Sequence, residues 1–121
     1  MNRMLSNDEL QALAVVPAMT LREKRARWAQ LIENHRHQIT MLHGIEYMGR
    51  AKLADCAPAQ SIFAIAADDA VFREQGHSGK WDAQTGKDFF ALSSDEVHYL
   101  ACDCMGQVSN ATMAARIKNI T

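Results

Sequence analysis

His98, Cys102 and Cys104 stand close together in the run Asp95-Glu96-Val97-His98-Tyr99-Leu100-Ala101-Cys102-Asp103-Cys104. Two of the three cysteines and one of the five histidines fall here. Imidazole and thiolate are the ligands that zinc and other thiophilic ions prefer. His98 and Cys102 are four positions apart and share a face if the segment is helical. Cys104 lies just past that helix, where the chain can turn back. The run supplies at most three ligands. A closed zinc site takes four, so a fourth would come from His35, His37, His43, His77 or water. Cys-x-Cys also departs from the wider spacing of structural zinc knuckles. The plainer account is two small thiols that pack as apolar side chains beside one histidine. A redox reading uses Cys102 and Cys104 alone. Their disulfide would close a small, strained and easily reduced ring, and Asp103 between them works against thiolate formation. Cys56 is the remaining thiol.

A second candidate is the loop of residues 76–86, which holds three of the six glycines together with His77, Trp81 and Asp82. Glycine-containing loops concentrate function. An exposed tryptophan anchors ligands and partners well. His77 and Asp82 are close enough in sequence to orient a proton transfer. Otherwise the loop is a connector whose Trp81 tucks against the helices.

The remaining histidines and the basic residues read more plainly. His35 and His37 point in opposed directions on a helix, so they do not chelate one ion from a single segment. His35 falls on an apolar seam. There it acts as a hydrogen-bonded core residue or, in a symmetric dimer, as a pH-sensitive contact. The basic residues Arg22, Lys24, Arg25 and Arg27 are spread around the helix, with Glu9, Glu23 and Glu33 to compensate, and suit a solvated face. No Walker loop, dinucleotide glycine pattern, nucleophile elbow or His-Glu-x-x-His motif is present.

These groups must be positioned by helices. Ser6…Glu9, Thr20…Glu23 and Ser93…Glu96 match the capping box, in which a hydroxyl and a carboxylate satisfy two orphan N–H groups at a helix start. Thr85…Asp88 is a shorter-armed version. The first helix is expected at residues 7–15, stopped by Pro17. The second starts after Thr20. Leu21, Trp28, Leu31, Ile32, His35, Ile39, Leu42 and Ile45 recur at spacings of three, four or seven and define one face. Unbroken from 21 to 49, that helix would be about 43 Å long, in a domain whose radius of gyration is about 14 Å. It therefore bends at Gly44 or overhangs and seeks a partner. A third helix is expected from Pro58 to Gly76, a short one at 87–92, another at 94–103, and a last one capped by Ser109 or Asn110.

The 121 residues fit one domain, 1–121. A chain of this length buries enough surface to fold without metal or disulfide. The net charge of -1 offers no general attraction to nucleic acid or to acidic lipid. No apolar run reaches the roughly 20 residues of a membrane span. The start turns acidic before any apolar core, unlike a signal peptide, and an odd cysteine count without an export signal suits a reduced, cytoplasmic protein.

The expected fold is all-α: five to six helices around one long amphipathic second helix at about 21–49. The expected function is a cytoplasmic interaction or assembly module without a catalytic motif. It would be a homodimer whose contacts are Trp28, Leu31, His35, Ile39 and Leu42. The alternative is a metal-binding or thiol-redox protein using His98, Cys102 and Cys104, with zinc or a similar ion. A small-molecule pocket under the 76–86 loop, with His77, Trp81 and Asp82, is the third option.

Overall fold

The computed structural model describes residues 17–41, 60–102 and 107–121. Thr20 opens the first described helix, α1 (Leu21–Glu33), through a complete capping box. The Thr20 hydroxyl accepts from the Glu23 N–H at 3.1 Å, and the Thr20 N–H donates to the Glu23 carboxylate at 2.8 Å. At 13 residues α1 is about 20 Å long, which corrects the expected helix over 21–49.

The chain leaves the helix at Asn34 and bends. It then runs as a short strand β1 (Ile39–Thr40), antiparallel to β2 (Gln107–Val108), with Ile39 opposite Val108. Two adjacent β-branched residues favour that extended pairing. The carbonyls that a longer helix would satisfy internally are met from far away. Asn110 Nδ2 lies within hydrogen-bond reach of the carbonyls of Ile32 at 3.0 Å, His35 at 2.7 Å and His37 at 2.9 Å. The expected helix at 7–15, its Ser6…Glu9 cap, and Leu42, Gly44, Cys56 and Pro58 lie outside the described residues.

The expected third helix is two. Ser61 caps α2 (Ile62–Ala67), and Asp69 caps α3 (Ala70–Glu74) by accepting from the Phe72 N–H. Next comes α4 (Ala83–Phe89), capped by Asp82. Thr85 is thus the third residue of that helix and not its cap. The second capping box, Ser93 with Glu96, opens α5 (Ser94–Val97), which runs on into a π-helical turn (His98–Cys102). Ser109 caps the final α6 (Asn110–Asn119), which packs along α1.

The core lies between these elements. The indole of Trp28 stacks on Phe90, centroids 3.9 Å apart and rings 4° from parallel. Its Nε1–H donates to the Ile62 carbonyl at 3.0 Å. Phe63, Phe72, Ile32, Leu100, Met113 and Ile117 are among the other fully buried side chains. Gly86 lets α4 lie flat on Phe63, because a Cβ there would come within 2.1 Å of that ring. Among the described residues the fold is predominantly helical, with one two-stranded ribbon. No described helix is long and apolar enough to cross a membrane.

Candidate functional site

His98 is exposed at the start of the π-helical turn that Cys102 ends. Cys104 and the Cys102 side chain lie outside the described residues. Among those described, no three His, Cys, Asp or Glu side chains gather to hold a metal ion. Of the expected partner surface, Trp28 is 0% and Ile39 is 1% exposed, so both are spent inside the chain's own core. Leu31 and His35 are half-buried. With Gln60, Ile65, Asp68 and Asp69 they line an open groove of about 370 Å³, in which the His35 imidazole is hydrogen-bonded to Gln60.

The basic residues of α1 do not form a solvated face. Arg25 is buried and grips three carbonyls: Phe90 (2.9 Å from Nη2), Ala91 (3.0 Å) and Ile120 (2.8 Å). Arg27 forks onto Asp69 with two bonds of 2.8 Å. The Asp69 carboxyl is held below its ordinary value, chiefly by the Arg27 hydrogen bonds, and the Arg27 guanidinium is raised in turn. Lys24 lays its ammonium over the Phe89 ring, 4.3 Å from the centroid. Of these four basic residues Arg22 is the one that is exposed, as the solvated reading has it.

The 76–82 loop is the most elaborated site. Its path requires left-handed backbone at Gly76 (φ 100°) and Gly79 (φ 87°), where glycine carries no Cβ penalty. The loop is held against the rest of the chain at its start. Gln75 accepts from the Met19 N–H at 2.8 Å and donates to the Pro17 carbonyl at 2.9 Å, which ties α3 to the approach of α1. The His77 N–H donates to the Phe72 carbonyl. These bonds turn the His77 ring inward, leaving the residue 5% exposed.

His77 Nδ1 accepts from the Gly79 N–H at 2.9 Å. An accepting Nδ1 puts the ring proton of the neutral imidazole on Nε2. Nε2 is buried and has no hydrogen-bond partner among the described residues. The ring meets Phe89 in a tilted edge contact, centroids 4.9 Å apart, and an aromatic face is only a weak acceptor. Burial, with the Arg73 charge, pushes the imidazole below its ordinary value against the opposing pull of Asp82.

Asp82 is not His77's proton partner. Both its oxygens serve Thr85, one accepting from the backbone N–H at 2.6 Å and the other from the hydroxyl at 2.9 Å. Trp81 sits at the rim, 36% exposed, with its Nε1–H donating to Asp68 at 3.2 Å.

Beside His77 opens a cleft of about 410 Å³, lined by Lys24, Gly76, Ser78, Thr85, Asp88 and Phe89 as well as His77. Of the three loop residues the sequence singled out, only His77 lines it. Lys24, Asp88 and Phe89 were missed as site residues, because they reach the cleft from α1 and α4 and no local pattern joins them. No protein-family model, curated protein or solved structure matches this chain.

Proposed function

We propose that this protein is a small helical binding module whose ligand site is the cleft between α1, the 76–82 loop and α4. The observation that carries this reading is the buried His77, whose Nε2–H lacks an acceptor among the described residues. A buried polar group left unpaired costs about 1–3 kcal/mol, so each one needs a reason to persist. A ligand oxygen that accepts from Nε2 supplies that reason. The cleft volume of about 410 Å³ lies within the range of roughly 300–1,000 Å³ common to small-molecule sites. Its walls are mostly polar, with the Phe89 ring beside Lys24, His77, Ser78, Thr85 and Asp88, more polar than the common small-molecule pocket and so suited to a polar ligand. The test is imidazole-detected NMR of the full chain during addition of amino acids, carboxylates, phosphates, sugars and nucleosides. A compound that shifts the His77 ring nitrogens and leaves those of exposed His98 in place supports the reading. A panel that leaves His77 unmoved rejects it.

Assembly as a homodimer is a second reading, now on a narrower surface. Leu31, His35 and Ile65 border an open groove, and Leu21 at the start of α1 is 40% exposed. On this reading the protein is a dimer at micromolar concentration in sedimentation equilibrium, and Leu31→Glu makes it a monomer. A monomeric wild-type chain discards it.

A further inference from the structure

Lys24 and Asp88 line the same cleft with opposite charges, yet they do not pair. Among the described residues neither has an ion-pair partner. The Lys24 ammonium rests on the Phe89 ring. Asp88 accepts from Gln84 at one oxygen, at 2.9 Å, while its other oxygen has no hydrogen-bond partner among the described residues. Asp88 is exposed and Lys24 half-buried, so water can solvate both, and a ligand in the cleft would meet one charge of each sign. Here they stay apart with His77 beside them.

Resting on the reading of this cleft as a ligand site, we infer that its ligand is a small zwitterion of the α-amino-acid class. The carboxylate is met by the Lys24 ammonium and by the Nε2–H of neutral His77, both donors. The ammonium is met by Asp88, with the Thr85 hydroxyl oxygen as a further acceptor, since that hydroxyl spends its proton on Asp82. The Phe89 ring offers an apolar wall to the ligand's side chain. A simple anion would leave Asp88 facing it and a simple cation would meet Lys24, so the cleft discriminates against both. Nε2 is shut off from water in this conformation. The ligand therefore displaces a side chain to reach it; of those at the cleft, Ser78 is exposed and Lys24 half-buried.

The experiment is titration calorimetry and imidazole NMR on the full chain with L-alanine, L-leucine and L-glutamine, against acetate and methylammonium. At least one amino acid is expected to bind ten-fold or more tightly than either single-charge probe. Lys24→Met, which keeps an apolar stem on Phe89, should weaken the amino acid at least ten-fold. Asp88→Asn, at an exposed position, should abolish the preference over acetate. If acetate binds as tightly as every amino acid and Asp88→Asn changes nothing, the zwitterion inference falls while the cleft stands as an anion site. If none of these five probes binds but another compound moves the His77 signals, the ligand class is wrong and the cleft is right. If no compound moves them, both fall.

Discussion

Arg25→Met tests how the fold is tied together. The variant keeps an apolar stem of similar length and removes the guanidinium, which donates to the carbonyls of Phe90, Ala91 and Ile120. Phe90 is fully buried under Trp28, so its carbonyl loses the one partner it has among the described residues, where water does not enter. That costs about 1–3 kcal/mol. Ala91 is exposed and Ile120 half-buried, so water replaces much of what they lose. Charged donors add about 1.5–3 kcal/mol per bond that water does not restore. Relief of the buried charge's own desolvation offsets several kcal/mol of the gross loss. The net expectation is a loss of about 3 kcal/mol. With a urea slope near 1.5 kcal/mol per M, the unfolding midpoint falls by about 2 M. Arg25→Lys retains one donor but not the fork, and should fall between the two. Arg22→Met, exposed on the same helix, should stay within about 0.5 kcal/mol of wild type. Equal effects of Arg22→Met and Arg25→Met would refute the reasoning and restore the solvated-face account of the basic run.

Three further outcomes are expected. Gly86→Ala gains about 1 kcal/mol of helix propensity but drives a Cβ into the buried Phe63 ring, so a net loss of roughly 1–3 kcal/mol should appear in urea unfolding. Asp69→Asn keeps the α3 cap but breaks the partly exposed Arg27 pair, a cost of at most about 1 kcal/mol. The Asp69 carboxyl is depressed in the folded state. Its contribution is therefore complete above about pH 4 and lost as pH falls towards the folded value, and Asp69→Asn should lack that acid-side loss in thermal melts across pH. His77 is also depressed, by burial first. Below about pH 6.5 the unfolded chain takes up a proton that the folded chain refuses. Wild-type stability should fall as pH drops from 7 to 5, and His77→Leu should show less of that fall.

What was legible in the sequence was local. Thr20 with Glu23, and Ser93 with Glu96, close within one helical turn, and both capping boxes stand in the fold. Ser109 caps the last helix for the same reason. The overlong helix came from an apolar spacing that continued past its cause. Ile32 is buried as a helix residue and Ile39 as a strand residue, and both point inward although the backbone changed between them. The features that end the helix, Asn110 beneath it and Val108 opposite Ile39, lie far along the chain. Arg25 looks like its neighbours in composition, and only the distant carbonyls of Phe90 and Ile120 set it apart. The 76–82 loop was marked by its glycines, and His77 proved to be its inward residue. Asp82 was visible as an acidic group, but its service as an N-cap depended on Thr85 following it into a helix. Lys24 and Asp88 reach one cleft from α1 and α4, and no local pattern joins them.

The most direct measurement is a long-range nitrogen–proton NMR spectrum of the histidine rings in the full chain at pH 7.5, recorded before and after L-alanine, L-leucine and L-glutamine are added. The account predicts a neutral His77 with its proton on Nε2 and a bare, accepting Nδ1. It also predicts that the Nε2 resonance moves with at least one amino acid while that of exposed His98 stays in place. A His77 protonated on Nδ1, or ring nitrogens unmoved by these and by every other compound in the panel, would contradict it.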